Sequence, residues 1–270
     1  MQILGVDIGI SRTKFVCMDG GTLRSFGSIG QGESLSDAIA GSLSSDVCAI
    51  ALTGIGAPNM ASSLYGCKTY TVGEFDAIAA GVRYLTGLTD MLVISLGTGT
   101  AFVRVNGDRF THLGGSGVGG GTLVGLSKLL CNTADVTHLA DLAAHGDLSN
   151  IDLTIGDVTA KEIPNLPPHT TAANLAKASS GTSPADRAAG ILNLLFQTVG
   201  MMAVFALKGS GTRDAVLIGT TATLPQAAST LKPVEDLHGI RFHIPQHAPY
   251  AAAIGAAAIV ESKIHAGEIA

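Results

Sequence analysis

The fold of this chain is decided by the stretch Gly5-Val6-Asp7-Ile8-Gly9-Ile10-Ser11-Arg12-Thr13-Lys14. An apolar strand ends at Asp7, turns on glycine and returns through hydroxyl and basic residues. Glycine lets the backbone approach a triphosphate closely, so that N–H, hydroxyl and ammonium donors face its oxygens. The pattern predicts a phosphate-binding hairpin, although alone it fits an ordinary Asp/Gly β-turn equally well. The candidate nucleotide ligands are Gly9, Ser11, Arg12, Thr13 and Lys14.

A second copy of this pattern lies at residues 92–103, where an apolar strand, a turn of glycine and hydroxyl residues and an apolar return strand follow one another. Two such strand–turn–strand units suggest a duplicated fold. Elsewhere, buried strands are predicted at Val47–Thr53 and Ala215–Gly219, and helical spacing marks Glu74–Leu85 and Ala185–Leu207. Alternating strands and helices indicate an α/β fold. The second turn adds the candidate nucleotide ligands Thr98, Gly99 and Thr100.

Composition limits the partners and the compartment. The chain has 270 residues and a net charge of −5, so it has no broad basic surface, and we expect neither nucleic acid nor a membrane as partner. The N-terminus lacks a basic region, and Asp7 interrupts its apolar stretch, which argues against a secretory signal. The four cysteines have no C-x-x-C spacing, which fits reduced thiols. We therefore expect a soluble, cytoplasmic protein.

The blocks of sequence form a specific combination. The two turns and Ile218-Gly219-Thr220-Thr221 resemble the phosphate-1, phosphate-2 and adenosine motifs of the actin-like ATPase and sugar/acetate kinase superfamily. Within it, four further blocks resemble type II pantothenate kinases, namely residues 73–77, 114–122, 172–174 and 253–256. The resemblance implies two actin-like (ribonuclease H-like) domains with a nucleotide cleft between them. It also implies ATP and Mg2+ as cofactors, phosphorylation of the primary hydroxyl of pantothenate, the first step of coenzyme A biosynthesis, and a homodimer.

The glycine-rich block at residues 114–121 matches the letters of a dinucleotide fingerprint. However, the block lies in the middle of the chain, and no Walker lysine follows its glycines. The block runs into an apolar helix at Leu123–Leu130, whose N-terminus would aim free N–H groups at phosphate oxygens. A flexible surface loop is the alternative. The resemblance implies that the block wraps the nucleotide, and the candidate ligands are Gly119, Gly120, Gly121 and Thr122, with Gly219, Thr220 and Thr221 from the adenosine motif.

Glu74 is the candidate catalytic residue. Phosphoryl transfer to an alcohol requires a carboxylate that orients the hydroxyl and accepts its proton. From the residues alone, Glu74 and Asp76 could equally well complement a helix dipole. The block Glu74-Phe75-Asp76-Ala77 matches the family's catalytic block, and this resemblance implies that Glu74 is the base and Asp76 a cap. Asp7 would bind magnesium, directly or through water.

Two departures from the family concern the substrate side. The family has arginine before the glycine block, where this chain has His112, and neutral imidazole cannot form a bidentate fork with a carboxylate. Arg109 or Arg104 could replace that arginine, or the acceptor could be uncharged, such as pantetheine. Tyr250 stands where the family has another pattern, and it is either a pocket residue or a packing residue. The candidate substrate residues are His112, Arg109, Gly115, Ala173 and Tyr250.

The predicted domains are residues 1–105 with 249–270, and residues 106–248. The helix Ala185–Leu207 is apolar on nearly all sides and is predicted to lie between domains or between subunits, with Ser183 as N-cap and Pro184 at its first position. The last helix, Pro249–Ala266, returns to the first domain, and its Gly255 allows close packing. A kinase of the same fold acting on a sugar and a non-kinase nucleotide-binding protein are the alternative functions.

Overall fold

The computed structural model describes residues 1–30, 33–34, 47–59, 63–64, 66–164 and 166–269, which form an α/β protein with two larger sheets. The strands are β1 (Gln2–Ile8), β2 (Arg12–Asp19), β3 (Thr22–Gly30), β4 (Val47–Thr53), β5 (Ser63–Leu64), β6 (Cys67–Thr71), β7 (Asp90–Leu96), β8 (Thr100–Asn106), β9 (Arg109–Ser116), β10 (Leu153–Thr154), β11 (Thr171–Ala173), β12 (Asp214–Ile218) and β13 (Arg241–His243). The α-helices are α1 (Glu74–Thr86), α2 (Gly120–Cys131), α3 (Val136–Ala143), α4 (Ile155–Val158), α5 (Pro184–Leu207), α6 (Pro225–His238) and α7 (Ala251–His265).

Both larger sheets follow one plan. Sheet 1 has the order β3-β2-β1-β4-β6-β5, and sheet 2 has the order β13-β12-β7-β8-β9. In each, an antiparallel meander of three strands leads to parallel strands, β4 and β6 in sheet 1 and β12 and β13 in sheet 2. The C-terminal ends of parallel strands share one edge of a sheet, so the loops that follow β1 and β7 occupy equivalent positions in the two sheets.

The structure confirms most of the elements that local signals in the sequence predict. Strand β4 has the bounds that the apolar run Val47–Thr53 predicts. Ser183 accepts a hydrogen bond from the N–H of Asp186 and caps α5, with Pro184 at its first position. A capping hydroxyl and a proline suit this position because the first N–H groups of a helix have no partner inside it.

Two helices cross between the sheets. Helix α1 leaves sheet 1 and packs its Ile78 and Val82 against Met91 and Val103 of sheet 2. Helix α7 leaves sheet 2 and packs its Ala253 and neighbouring alanines against sheet 1. Each sheet is therefore covered by a helix that the other sheet supplies, and this crossing holds the two halves of the protein together.

The contact between these helices depends on two glycines. A Cβ on Gly255 would lie 1.8 Å from the carbonyl oxygen of Ala77, and a Cβ on Gly81 would lie 1.8 Å from that of Ala251. Both distances are far shorter than a van der Waals contact, so only glycine allows the backbones to approach this closely. The predicted close packing at Gly255 is thus present, and Gly81 is its partner.

The structure bears on two predictions about the domains, the position of their boundary and the place of helix α5. The predicted boundary at residues 105 and 106 falls inside β8, before its last residue Asn106, whereas the connection between the sheets lies at residues 87–89. Helix α5 does not lie between domains. It packs Leu192, Leu195 and Phe196 into the core of sheet 2, which also contains Leu92 and Ile94. Among the described helices, α5 is long and apolar enough to cross a membrane, but more than half of its most apolar part is buried in this core.

Candidate active site

The two predicted phosphate loops meet in the structure. The Ser11 Oγ atom in the loop after β1 lies 2.9 Å from the Thr98 Oγ1 atom in the loop after β7. The loops come from different sheets, and 87 positions separate the two residues. The N–H of Gly9 donates to the carbonyl of Arg12 and closes the first loop, with an N–O distance of 3.2 Å. Two glycine-hinged hairpins therefore face each other across the space between the sheets.

Three charged side chains gather at the base of the first loop. Asp7 and Lys14 are direct partners across the antiparallel pair β1–β2. Burial raises the pKa of Asp7 to about 6, the Lys14 ammonium lowers it, and the Glu74 carboxylate raises it. Burial also lowers the pKa of Lys14, against the influence of Asp7. Asp7 and Glu74 thus lie close enough to interact electrostatically, which places the candidate base beside the candidate metal ligand.

The raised pKa of Asp7 predicts a pH-dependent stability in the absence of nucleotide and metal. Between pH 3.8 and about 6, folded Asp7 holds a proton that the unfolded chain has lost, so the stability of the protein falls as pH rises through this window. Asp7→Asn removes that penalty. We expect scanning calorimetry to give the variant a melting temperature a few degrees higher above pH 6, with no difference below pH 4. Parallel melting curves at every pH would contradict this expectation.

The glycine-rich block packs against the second phosphate loop. The N–H groups of Gly120 and Gly121 donate to the carbonyls of Gly97 and Thr98, with N–O distances of 2.9 and 2.8 Å. The expectation that these helix N-terminal N–H groups are free for phosphate is therefore wrong for both residues, because the loop itself occupies them. A Cβ on Gly119 would lie 2.6 Å from backbone atoms of Gly99, so glycine is needed for this close approach.

The other residues of this block hold its shape. Thr122 Oγ1 donates to the carbonyl of Gly117 at 2.7 Å, and Thr100 Oγ1 donates to that of Val118 at 2.7 Å. Gly115 of β9 pairs with Ala101 of β8, and a Cβ on Gly115 would lie 2.7 Å from the carbonyl oxygen of Thr100. The structure thus brings the glycine-rich block and the second phosphate loop together as one unit.

The predicted adenosine motif borders the same unit. Gly219 has a φ of +98°, and a Cβ there would lie 2.2 Å from the carbonyl oxygen of Leu96. Thr220 follows Gly219. Thr221 is buried, and a Cβ on Gly120 would lie 2.9 Å from its hydroxyl oxygen. Three of the four segments predicted to bind nucleotide, namely the second phosphate loop, the glycine-rich block and the adenosine motif, therefore meet at one end of sheet 2.

The predicted acceptor side is formed by α1 and β9. The ring of His112 stacks on Phe75, with ring centroids 4.5 Å apart and an angle of 18° between the planes. The ring of Phe110 lies 6.4 Å from that of Phe75 between centroids. Because Phe75 directly follows Glu74, the stack places His112 against the first turn of α1, which begins at the candidate base. Composition and spacing did not predict this contact, since neither aromatic ring forms part of a local pattern.

The two alternative arginines start from different positions. Arg109 is the first residue of β9, beside the turn at Gly107, which Arg83 of α1 also contacts. Arg83 lies about 13 Å along this helix from Glu74. Arg104 pairs with Asp90 and donates to the carbonyls of Met91 and Val105. Arg104 therefore has a structural position, whereas a role for Arg109 at the acceptor side stays a prediction.

Tyr250 and Ala173 belong to other elements than the stack. Tyr250 packs against Phe26 of β3, with ring centroids 4.8 Å apart, so its contact is with the first sheet. Tyr250 directly precedes α7, whose first residue, Ala251, meets Gly81 of α1. Gly81 lies about 10 Å along α1 from Glu74. Ala173 ends β11, beside Asn174, whose side-chain amide donates to Gln197 of α5 at 3.0 Å.

Sequence reasoning missed the segment Thr53-Gly54-Ile55-Gly56, which follows β4. The N–H of Gly56 donates to the carbonyl of Ile8 at 3.1 Å. A Cβ on Gly54 would lie 2.6 Å from the Asp7 Oδ1 atom. The signal was available, because a hydroxyl residue and glycine follow a buried strand here as they do in both phosphate loops.

The site fits a magnesium ion. Among the residues that the structure describes, no group of three or more His, Cys, Asp or Glu side chains could hold a metal. Magnesium does not need such a group, because it keeps several waters and takes one or two carboxylates with phosphate oxygens. The Asp7 carboxylate supplies the oxygen ligand that this ion prefers. The buried Thr53 Oγ1 atom, which has no partner in the described protein, supplies a further oxygen at the next strand end.

Comparisons with known proteins identify relatives of this chain. The family model described as Fumble matches residues 86–258. Type II pantothenate kinases from Staphylococcus aureus strains USA300 and NCTC 8325 are each 31% identical over 195 residues, which cover 68% of this chain and 72% of the relative.

Solved structures of similar shape include the activator of the 2-hydroxyisocaproyl-CoA dehydratase from Clostridium difficile with bound ADPNP. Its TM-score is 0.71 at 19% identity, covering 100% of this chain and 98% of that one. A ROK family glucokinase from Streptomyces griseus in complex with glucose and AMPPNP has a TM-score of 0.62 at 15% identity, covering 96% and 99%. Identities this low show the fold alone. With the repeated sheet plan, they confirm the predicted α/β fold of two actin-like domains.

Proposed function

The chain belongs to the Fumble family of type II pantothenate kinases, and from that premise we infer that it is an ATP-dependent kinase of pantothenate. The phosphoryl group goes to the primary hydroxyl of pantothenate, which is the first step of coenzyme A biosynthesis. The observation that carries this proposal is the 2.9 Å contact between Ser11 and Thr98. It supports a shared phosphate site, because only loops that meet can hold one triphosphate from two sides.

Each group of residues in the site has a separate role in phosphoryl transfer. Donors on the two hairpins, including Lys14, bind and orient the phosphates. Glu74 orients the alcohol and accepts its proton as the new P–O bond forms. Asp7 holds Mg2+, directly or through water, and bound Mg2+ would neutralise charge on the phosphates. Closure of the two domains around the crossing of α1 and α7 would exclude water from the reacting groups.

The proposal extends to properties of the whole protein. We place the division between the domains at residues 87–89, with α7 returning to sheet 1. We also propose that the enzyme is a cytoplasmic homodimer that binds ATP with Mg2+ and acts on a small molecule rather than on nucleic acid or a membrane. A net charge of −5 supports the choice of a small-molecule substrate, because a polyanionic partner would require a basic surface.

The acceptor side leaves pantetheine as a second candidate substrate. His112 stacks on Phe75, the residue after Glu74, whereas Arg104 pairs with Asp90. Neutral imidazole offers the pantothenate carboxylate one hydrogen bond and no bidentate ion pair. Pantetheine has the same primary alcohol and lacks the carboxylate, so it needs no cation in the pocket.

A coupled assay of ADP release tests the function and the acceptor together. With MgATP, we expect turnover of pantothenate and pantetheine, and at least a hundredfold lower kcat/KM for glucose and other hexoses. A hexose-specific enzyme would support the sugar-kinase alternative. ADP release that is equally fast without any acceptor would support the non-kinase alternative. Activity with pantetheine alone would keep the kinase and change its substrate.

A further inference from the structure

We propose that Thr53 is a positioning residue for the metal, and that its hydroxyl binds a water molecule in the hydration shell of the Mg2+ ion held by Asp7. This inference rests on the proposed function, because it takes MgATP to be the phosphoryl donor. It concerns a residue that neither the two phosphate hairpins nor the glycine-rich block contains.

The first observation is an unpaired hydroxyl. Thr53 is fully buried, and its Oγ1 atom has no hydrogen-bond partner among the described residues. A buried hydroxyl without a partner is costly, because it gives up hydrogen bonds to water and receives none in return. Valine would fill the same space without this cost. The hydroxyl therefore indicates a partner that is bound to the protein rather than part of it.

The second observation is the direction of this hydroxyl. Thr53 is the partner of Asp7 across the parallel strands β4 and β1. Along these strands Ile3, Ala49 and Ala51 face α7, and the alternate residues face a separate core on the other side of the sheet. Because side chains alternate along a strand, Asp7 and Thr53 continue the face of the first group. Paired residues of neighbouring strands lie about 4.8 Å apart, so both side chains border the same space.

The third observation is the close packing beside the carboxylate. Gly54 has a φ of +87°, and a Cβ at this position would lie 2.6 Å from the Asp7 Oδ1 atom and 2.7 Å from the carbonyl oxygen of Ile8. Only glycine therefore lets the chain after Thr53 pack this closely against Asp7. An acidic oxygen, an unpaired hydroxyl and a glycine required by close packing thus occur together at the end of two adjacent strands.

The chemistry of magnesium matches this arrangement. Mg2+ dehydrates reluctantly and keeps several waters when it binds to one carboxylate and to phosphate oxygens. A metal-bound water donates strong hydrogen bonds, and a threonine hydroxyl accepts one while its own proton can donate to a carboxylate or phosphate. Thr53 would therefore orient one water of the hydration shell, and with it the ion, without being a direct ligand.

The experiment compares nucleotide binding with and without the metal. Calorimetry measures the Kd of ADP in excess Mg2+ and in EDTA for the unmodified protein, Thr53→Val and Thr53→Ser. Val keeps the branched shape and removes the hydroxyl, whereas Ser keeps the hydroxyl and removes a methyl group. We expect Thr53→Val to weaken MgADP about tenfold and to leave metal-free ADP unchanged. Thr53→Ser should restore MgADP binding to within about twofold of the unmodified protein.

A spectroscopic readout separates positioning from a structural role. Mn2+ replaces Mg2+, and the electron paramagnetic resonance spectrum of the protein–MnADP complex is recorded for each variant. We expect the Val variant to change the spectrum of bound Mn2+ and the Ser variant to retain it. The melting temperature of the metal-free Val variant should equal or exceed that of the unmodified protein. A lower melting temperature would overturn the inference, because it would show that the hydroxyl has a partner within the protein.

The outcomes distinguish this inference from the proposed function. Equal MgADP affinity of the Val variant and the unmodified protein would overturn the role of Thr53 and leave the kinase proposal intact. Equal weakening with and without Mg2+ would also overturn it, since the effect would then not involve the metal. If the protein binds MgADP as expected but phosphorylates neither pantothenate nor pantetheine, the proposed function fails while the role of Thr53 stands.

Discussion

Replacement of Glu74 by glutamine is expected to lower kcat for pantothenate phosphorylation by about a thousandfold. Glutamine has nearly the same shape but cannot accept the proton of the attacking hydroxyl. The KM for ATP should change by less than about threefold, because the phosphate loops remain intact. Steady-state kinetics of ADP release, supported by a melting curve for each protein, measures both quantities.

The structure supports this expectation through the position of Glu74. It is the first residue of α1, it is exposed, and its charge raises the pKa of Asp7. A carboxylate that only complemented the helix dipole would need neither this proximity nor the adjacent stack of Phe75 on His112. The matched control is Asp76→Asn, two residues along in the same helical turn, where the carboxylate lies over Gly73.

The control separates catalysis from helix capping. Loss of either charge removes a favourable interaction with the helix N-terminus, which is worth about 0.3–1 kcal/mol, so both variants should lose similar small amounts of stability. Only Glu74→Gln should lose turnover. Equal losses of kcat in the two variants would assign the effect to the helix terminus, and full activity of Glu74→Gln would remove the base from the mechanism.

Replacement of Gly255 by alanine is expected to destabilise the protein by about 3 kcal/mol or more. The new Cβ would lie 1.8 Å from the carbonyl oxygen of Ala77 and 2.5 Å from the backbone nitrogen of Gly81. Backbone atoms cannot rotate away as a flexible side chain can, so α1 and α7 must separate and lose packing against both sheets. A loss of this size lowers the melting temperature by roughly 6 °C or more.

The matched control for this prediction is Gly125→Ala in α2. This helical glycine is exposed, and a Cβ there would meet no atom within 4 Å. Alanine should therefore stabilise α2 by about 0.5–1 kcal/mol through its higher helix propensity. Opposite signs for the two substitutions would confirm that steric contact, rather than helix propensity, governs the crossing. A Gly255→Ala protein as stable as the unmodified one would contradict the geometry of the crossing.

The fold was largely predictable from local patterns. The runs Val47–Thr53 and Glu74–Leu85 have the periods of a strand and a helix, and the structure confirms both with bounds that differ by at most one residue. The destination of α5 was not predictable in this way. Its apolar surface indicated burial, but periodicity does not identify the surface that covers a helix, and sheet 2 rather than a domain interface covers it.

The candidate site was predictable where glycine and hydroxyl residues follow a buried strand. Loops that follow neighbouring strands lie along a common edge of the sheet, so the strand pattern indicates where these loops are. Arg104 shows where the reasoning stopped, since the strand pattern does not tell which side chains reach the pocket of His112. Its guanidinium pairs instead with Asp90, the first residue of the neighbouring strand β7.

The amino-acid sequence by itself determined the strands, helices, caps and two glycine-hinged turns, because these depend on residues within a few positions of one another. Only the tertiary structure decided which of these parts meet. The contact of Ser11 with Thr98, the stack of His112 on Phe75 and the unpaired hydroxyl of Thr53 beside Asp7 all join different elements. Such contacts arise from the packing of sheets and crossing helices, in which every side chain competes for the same space. Because this packing depends on the whole chain, the tertiary contacts cannot be predicted from a short stretch of sequence.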